Sequence, residues 1–378
     1  MASTHQLQQI ILEKSAQIKS GTFLRIVKFM GLRLLTLLIT VVISIFLTVM
    51  IASMGGHVDK IRLGEIRETV TTNINRNASY RNLPTEERNK LIEDNIRIQA
   101  EAMGLNKPLM VRTVGFMKNA LTLNLGRAMK MTSDSGSSQV RRIILERLPP
   151  TLALFGTSSL IFFFVELVMA LFLSRRYGSF LDKLIIGLAP TSTAPAWFYG
   201  YFLIMLFAAI LKVLPFGGMI DAPVPEDTLG YLLNMLKHMI LPLLAIALNQ
   251  VFLNAYAWRT FFLIYANEDY VEMAKAKGVK EREVQRHYIL RPALPTIITT
   301  FALTIIAAWG GYPIMETVFS WPGLGRSYYQ AVQFYDTPVI LGNAVIFAYL
   351  LAITVFLLDF IYALVDPRVK IGQSGSQA

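Results

Sequence analysis

The chain contains no cysteine among its 378 residues, so disulfide bonds and thiolate metal sites are excluded. Its four histidines form neither an HxxxH nor an HExxH pair, which argues against a zinc site. No GxxxxGK[ST] segment occurs, so the chain does not hydrolyse ATP through a phosphate-binding loop of that type. No Ser-His-Asp set or pair of carboxylates stands out in an aqueous segment, so we expect no enzyme, and no metal or cofactor in this chain.

Charged residues are scarce as well, at 16% of the chain, whereas 54% of the residues are hydrophobic and the mean hydropathy is +0.47. This composition is too apolar for an ordinary soluble protein of this size. In a soluble protein, the formal net charge of +11 would suggest a nucleic-acid partner. Because the basic residues cluster at the ends of apolar runs, basic cytoplasmic loops of a membrane protein are the better interpretation, with lipid and no nucleic acid as partner.

Six apolar runs are long enough to cross a bilayer, whose core needs about 20 residues of helix. The pattern predicts an all-α integral membrane protein with six transmembrane helices. The first run is expected to be a retained helix, because it is too long for a signal-peptide core. One run, the second, contains a charged residue, Glu166. The runs are Leu34–Ser53, Thr151–Ser174, Leu184–Leu211, Met239–Trp258, Thr296–Met315 and Pro338–Leu358.

Basic residues near the short loops set the expected orientation. They are concentrated before the first run and after the second, fourth and sixth runs. Both termini are therefore expected in the cytoplasm of a multi-pass protein of the cell (plasma or inner) membrane. The predicted domains are a cytoplasmic segment 1–33, a transmembrane helix 34–53, an extracytoplasmic helical insert 54–150, a five-helix core 151–364 and a cytoplasmic tail 365–378.

The insert is basic too, but long loops cross the membrane largely regardless of charge. Its first part has a helical pattern with a break at Leu83-Pro84, and Thr85 is expected to begin the next helix.

The loop with the densest charge, residues 263–295, lies between the fourth and fifth runs. Its sequence predicts two short helices around Gly278, which suits a left-handed helix end. The second helix, residues 280–290, is expected to end at Arg291-Pro292, because the residue before a proline disfavours helix. Composition alone leaves two interpretations open, a docking surface for another protein or an amphipathic segment resting on lipid headgroups.

This charged loop resembles the EAA cytoplasmic loop of ABC-importer permeases, which has an acidic residue, small residues, a glycine, a hydrophobic residue and a proline in that order. Met273 departs from the alanine that is usual at the second position. The order DYVxxAxAKG is nevertheless typical of the dipeptide/oligopeptide permease branch. The matching residues are Glu272, Ala274, Gly278, Ile289 and Pro292.

Other segments resemble the same family in the family's order, so that the resemblance runs from about residue 29 to residue 370. The departures are an insert that is longer than usual at about residues 56–100, and Glu166 in the second run. The similar segments are Gly104–Leu109, Leu125–Arg127, Glu146–Pro149, Ala194–Gly200, Glu316–Gly325, Asp359 and Tyr362–Arg368.

The resemblance implies that the chain forms half of a translocation path with a second homologous permease subunit. It implies two cytoplasmic ABC ATPase subunits, which bind ATP and Mg, and an extracytoplasmic solute-binding protein as the other partners. The loop 263–295 would then be the coupling helix, with Asp269, Tyr270, Glu272, Ala274, Ala276, Gly278 and Pro292 at the ATPase. The segment Glu316–Gly325 would lie at the outer mouth, with Glu316, Trp321, Pro322, Gly323 and Gly325 as its characteristic residues.

Polar and aromatic residues inside the apolar runs are candidates for the translocation path, because an amide in lipid is costly and faces the bundle interior. Hydrogen bonding between helices is an equally good explanation for any single one of them. Glu166 is interpreted as a partner for a polar group on another helix or as a path residue. The candidates are Asn249, Gln250, Asn254, Trp309, Tyr312 and Asn343.

The leading hypothesis is the membrane subunit of an ATP-driven ABC importer for oligopeptides, with oligosaccharides as the alternative cargo. An ion-coupled secondary carrier would predict several buried carboxylates or an inverted repeat, and the sequence has neither. A membrane scaffold would leave the charged loop and the Glu316–Gly325 segment unexplained.

Overall fold

The computed structural model describes residues 27–51, 57–80, 83–102 and 104–365. Within these ranges the regular structure is helical, and β pairing is limited to an isolated bridge between Arg127 and Gln139. Most of the predicted segment 1–33, nearly all of the tail 365–378 and the last part of the C-terminal signature lie outside the described residues.

Five helices are long and apolar enough to cross a membrane, and one pair of helices bent at a short break could supply a sixth span. The predicted all-α membrane fold is therefore confirmed. The five are α1, α5, α8, α10 and α13, and the pair is α6 with α7. In chain order the helices are α1 (Val27–Ile51), α2 (His57–Arg76), α3 (Thr85–Ala102), α4 (Leu109–Leu121), α5 (Val140–Arg175), α6 (Phe180–Thr193), α7 (Ala196–Ile210), α8 (Thr228–Ala266), α9 (Asp269–Ala276), α10 (Glu281–Trp309), α11 (Pro313–Val318), α12 (Leu324–Gln333) and α13 (Thr337–Val365).

The third apolar run, predicted as one transmembrane helix, is divided into two helices. Helices α6 and α7 meet at an angle of 95°. Proline explains the break, because Pro195 lacks an N–H group for a continuous helix and sits in extended backbone at the start of α7. The Asn249 side chain donates to the carbonyl oxygen of Ala194 at 2.8 Å, which satisfies a backbone group that the break exposes.

The sequence predicted that the second helix of the charged loop ends at Arg291-Pro292. This prediction was wrong. The helix continues through both residues as α10. Residues Val284–Leu290 form a wide π-helical stretch, and Pro292 follows in the first turn of the α-helical part. Proline is tolerated there because the first turn leaves its backbone N–H positions without helical partners.

The first compact unit comprises residues 27–37, 144–330 and 350–365 of the described chain, and three apolar clusters form its core. One cluster contains Phe155, Met239, Phe319 and Trp321, all nearly inaccessible to solvent. The unit also joins the two ends of the described chain, because Arg33 of α1 donates to the carboxylate of Asp359. This ion pair joins α1 to α13.

The second unit comprises residues 38–143 and 331–349. As predicted, its helical part breaks at Leu83-Pro84, and α3 begins at Thr85. Ile66, Val70 and Ile96 are buried between α2 and α3. Asp336 anchors the loop between α4 and α5. Its Oδ2 accepts hydrogen bonds from the backbone N–H groups of the three consecutive residues 129–131, at 2.8–3.1 Å.

Candidate functional site

Helix α9 carries most of the residues predicted to contact an ATPase, and it has one inward face. Val271 and Ala274 are buried at 0% and 3% exposure in a cluster with Trp258, Phe262 and Ile289. The small side chain of Ala274 therefore contacts this chain's own core. Its size permits close packing of α9 on the membrane helices.

The opposite face of α9 is exposed. Asp269 and Glu272 lie in its first turn, where carboxylates favour the positive end of the helix dipole. Tyr270 is 39% exposed and Met273 57% exposed. Burial and the charge of Glu268 raise the pKa of the Tyr270 hydroxyl above its usual range, so this tyrosine stays neutral. Of the predicted residues, Asp269, Tyr270, Glu272 and Ala276 are exposed on α9, Gly278 is exposed just after its end, and Pro292 is exposed on α10.

Gly278 ends α9 with a φ of +75°, as the left-handed helix end predicted from the sequence requires. A Cβ built at this position would meet no atom within 4 Å in the described part of the chain. The glycine is therefore required here by backbone conformation rather than by crowding within the chain.

A buried ion pair, which was not predicted from the sequence, includes a residue just before the charged loop. Arg259, seven residues before the end of α8, donates from Nε and Nη2 to the two carboxylate oxygens of Asp182, both at 2.6 Å. The backbone N–H of Gly178 also donates to Asp182, and the Tyr177 ring lies 4.8 Å from the guanidinium carbon. This arrangement fixes the start of α6 to the end of α8. The position of Arg259, directly after the fourth apolar run, was the sequence feature from which a buried ion pair could have been predicted.

The second candidate site is the loop at residues 316–325, called here the Glu316 loop. The Glu316 side chain is fully buried. Its Oε1 accepts a hydrogen bond from the Thr151 hydroxyl at 2.9 Å, and its Oε2 accepts one from the backbone N–H of Arg326 at 2.7 Å. Thr151 in turn accepts from the backbone N–H of Leu324 at 2.6 Å. One carboxyl group thus joins α5, α11 and α12.

Two glycines make room for this carboxyl group, and a third permits close contact between two backbone segments beside it. A Cβ at Gly323 would lie 2.4 Å from Glu316, and a Cβ at Gly311 would lie 2.8 Å from its Oε1. A Cβ at Gly325 would lie 2.9 Å from the backbone nitrogen of Pro313. The glycines of the GGYP and WPGLG segments are therefore needed for close packing of the backbone around Glu316.

Burial raises the pKa of the Glu316 carboxyl from 4.5 to about 7, although the hydrogen bonds from Arg326 and Thr151 favour the ionised form. The Trp321 ring is also fully buried, and its indole N–H donates to the carbonyl oxygen of Pro150 at 2.8 Å. Pro322, which follows it, is half-buried. The loop is consequently held on α5 from two sides.

The predicted path residues have different hydrogen-bond and packing partners. Trp309 donates from its indole N–H to the Thr354 hydroxyl at 2.8 Å, and the Asn343 amide donates to its own helix at the Val339 carbonyl. Tyr312 packs on the Phe155 ring, with centroids 4.6 Å apart, and is 45% exposed. Gln250 is half-buried. Of these residues, Tyr312 combines aromatic packing with a large exposed surface.

Glu166 is buried, at 3% exposure, and the Asn254 side chain lies within hydrogen-bonding distance of it. This contact joins α5 to α8 and agrees with the interpretation of Glu166 as a partner for a polar group on another helix. Its Oε1 has no hydrogen-bond partner among the described residues. In that same part of the chain, no three His, Asp or Glu residues are grouped to hold a metal ion.

Comparison with known proteins shows the family to which the chain belongs. The model for the binding-protein-dependent transport system inner membrane component matches residues 166–371, more than half of the chain. The chain belongs to this family. The resemblance to ABC-importer permeases is thereby confirmed, and the carrier and scaffold hypotheses are not supported.

Several curated relatives are similar over most of their length. The oligopeptide transport system permease protein AppB of Bacillus subtilis (strain 168) is 32% identical over 279 residues, which cover 71% of this chain and 83% of the relative. The di/tripeptide transport system permease protein DppB of Pseudomonas aeruginosa (strain UCBPP-PA14) is 29% identical and covered to 85%. A chain of the inward-facing MetNI methionine ABC transporter aligns with 59% of this chain, at 18% identity and a TM-score of 0.44.

Proposed function

We propose that this chain imports oligopeptides as one of two homologous permease subunits. Two cytoplasmic ABC ATPase subunits, holding ATP and Mg, and an extracytoplasmic solute-binding protein complete the assembly. The family match supports the importer class, and the relatives named for oligopeptide and di/tripeptide transport support the cargo. Both termini and the charged loop then face the cytoplasm, in agreement with their basic residues.

The observation that carries the proposal is that α9 has one buried face and one exposed face. Val271 and Ala274 bind it to the membrane helices, while Asp269, Glu272 and Met273 remain exposed. A helix fixed on one face and free on the other is suited to dock in a groove of a second protein. ATP binding would bring the ATPase subunits together, and α9 would move with them as part of a rigid body.

The Asp182–Arg259 pair connects that movement to the membrane helices. Helix α8 ends at Ala266, and α9 begins at Asp269, so only two residues separate the docking helix from a long membrane helix. The buried pair makes α6 follow α8, because separating the charges in an apolar interior is costly. Displacement of α9 would therefore shift α6 and α8 together.

Oligosaccharide is the alternative cargo, and stacking of a sugar would need aromatic faces such as those of Trp309 and Tyr312. The Trp309 indole is engaged with Thr354, and Tyr312 packs on Phe155. Aromatic rings pack on peptide side chains as well as on sugars, so these two residues do not favour a sugar. The peptide names of the relatives support peptide over oligosaccharide as the cargo.

The direct test is purification of the chain from its native membrane, followed by reconstitution of the purified assembly in proteoliposomes. We expect a second permease, ATPase subunits and a solute-binding protein to co-purify, and peptide uptake to require ATP. Glu272→Lys on the exposed face should uncouple uptake, whereas Glu93→Lys, on exposed insert helix α3, should not. Transport by the chain alone without ATP would contradict the proposal.

A further inference from the structure

A polar cavity of about 170 Å³ lies beside the Glu316 loop, at a place to which no function has so far been assigned. It is far larger than the roughly 10–15 Å³ that one water molecule needs and smaller than the roughly 300 Å³ of the smallest drug-sized sites. A chemical group of a few atoms fits it, whereas a whole oligopeptide does not. Its lining comprises Arg147, Pro322, Gly323, Arg326, Ser327 and Gln330.

The cavity is rich in hydrogen-bond donors and in positive charge. Arg147 from α5 and Arg326 from α12 both line it. The backbone N–H of Arg326 is engaged by Glu316, but its guanidinium makes no hydrogen bond or ion pair with the described part of the chain. Arg147 directs Nη1 toward the Pro322 carbonyl at 3.5 Å, which places that guanidinium at the edge of the loop.

Ser327 provides a second, independent observation. Its side chain is buried at 3% exposure, and its hydroxyl has no hydrogen-bond partner among the described residues. A buried hydroxyl without a partner costs about 1–3 kcal/mol. An acceptor in the cavity would satisfy it. Two arginines, a serine and a glutamine therefore line one small space, and the donor groups of these residues suit an anionic oxygen group.

We propose that this cavity binds the terminal carboxylate of the transported peptide as the peptide enters the permease. The inference rests on the proposed function, which makes the solute a peptide, and on the family resemblance, which implies that the Glu316 loop lies at the outer mouth. A free carboxylate is the one anionic group that every linear peptide carries, whatever its sequence. A site that holds only this end group would accept peptides with varied side chains.

The arrangement also connects this cavity to the carboxyl group of Glu316. Gly323 lines the cavity and simultaneously contacts the Glu316 cradle, since a Cβ there would lie 2.4 Å from the carboxyl group. Arg326 faces the cavity with its side chain and binds Glu316 through its backbone. A bound carboxylate would thus act on the same short segment that fastens α11 and α12 to α5.

The test uses the complete assembly in phosphatidylcholine proteoliposomes with saturating peptide-loaded binding protein. ATP-driven uptake is compared for one tripeptide with a free carboxylate and for its C-terminally amidated form, after the affinity of the binding protein for each is measured separately. We expect the wild type to favour the free form. Arg326→Gln should lower uptake of the free form about tenfold, the effect of one lost charged hydrogen bond, and leave the amidated form unchanged.

Arg147→Gln is the second variant, which keeps the test decisive if Arg326→Gln does not fold. Arg326→Lys should retain part of the preference, because it keeps the charge without the fork of donors. Arg142→Gln, an exposed arginine on the same helix as Arg147, is the matched control and should change neither rate.

Three results would overturn the assignment. Equal loss of both peptides would show that the arginines do not recognise a carboxylate of the solute. An effect that appears only with phosphatidylglycerol vesicles would assign the cavity to a lipid phosphate. Weaker sedimentation of the binding protein with the variant vesicles would assign it to an acidic side chain of that protein. Failure of wild-type uptake of any peptide would instead refute the proposed function.

Discussion

Arg259 and Asp182 are 77 positions apart, yet the arginine donates two parallel hydrogen bonds of 2.6 Å to the two oxygens of the aspartate. Both side chains are buried, at 8% and 2% exposure. The parallel geometry is the strongest form of this interaction, because the planar guanidinium matches the carboxylate. The pair lies at the ends of α6 and α8 that adjoin the charged loop.

The first prediction concerns that pair. Asp182→Asn should lower the free energy of unfolding by about 3–5 kcal/mol, because it leaves the Arg259 charge buried without a counterion. Thermal unfolding of the purified assembly in detergent measures the change. Lys183→Gln removes an adjacent exposed charge and should have little effect.

A double replacement separates stability from coupling. Asp182→Leu combined with Arg259→Met should recover most of the lost stability, because a buried pair can be replaced by apolar packing. Peptide uptake per ATP hydrolysed should remain low, since the directional link between α6 and α8 is gone. Full recovery of both quantities would show that the pair is merely structural.

The second prediction concerns Gly278. Gly278→Asp should leave the amount of protein in the membrane nearly unchanged, because a Cβ there meets no atom of the described chain and the left-handed φ costs only about 1 kcal/mol. ATP-driven uptake should fall sharply, because a charged side chain would intrude on the docked ATPase. Quantitative immunoblots and proteoliposome uptake provide the two measurements.

Gly278→Ala is the matched control, since it introduces the same backbone strain with a minimal side chain. It should retain far more uptake than Gly278→Asp. Equal uptake by the wild type and the aspartate variant would count against contact between this position and a partner.

The sequence predicted much of the fold because hydrophobic length reports directly on membrane spans. It did not predict the 95° break within the third run, since proline can also be accommodated within a membrane helix, as Pro242 is in α8. The Asp182–Arg259 pair was missed for another reason. Pairing between distant positions depends on helix packing, which one sequence without homologues does not encode visibly.

In the charged loop, too, some features could be predicted from the sequence and others could not. The helix end at Gly278 was predictable because caps and glycines act locally. The inward position of Ala274 was accessible from the three-residue spacing between Val271 and Ala274, which places both on one helix face. The family motif directed attention to small size as a feature for partner contact, whereas in this chain that size serves packing on the membrane helices.

The third prediction concerns pH. The Glu316 carboxyl has a pKa of about 7 when folded and 4.5 as its ordinary value. The unfolded chain therefore loses this proton at lower pH, so the stabilisation by the neutral carboxyl is complete below about 4.5 and declines as the pH rises through 7. The linkage amounts to roughly 3 kcal/mol across this interval.

Glu316→Gln should remove this pH dependence, because glutamine stays neutral and keeps a carbonyl acceptor for Thr151 or for the Arg326 backbone. We expect the difference in melting temperature between the variant and the wild type to increase from pH 5 to pH 8, in favour of the variant. Glu281→Gln, on an exposed position of α10, serves as the control for general charge effects. A difference that stays constant over this range would contradict the assignment.

The fourth prediction tests the cradle of Glu316 itself. Gly323→Ala would place a Cβ 2.4 Å from the carboxyl group, a distance that no rotation of the alanine can relieve. Either Glu316 leaves its partners and becomes a buried carboxyl with unpaired oxygens, or the loop moves away from α5 and exposes Trp321. Both outcomes cost several kcal/mol, since each breaks a buried hydrogen-bond network.

Gly187→Ala is the control, because a Cβ there meets nothing within 4 Å. Membrane abundance and melting temperature should fall for Gly323→Ala alone, and wild-type values for that variant would show that the glycine is not needed for close packing.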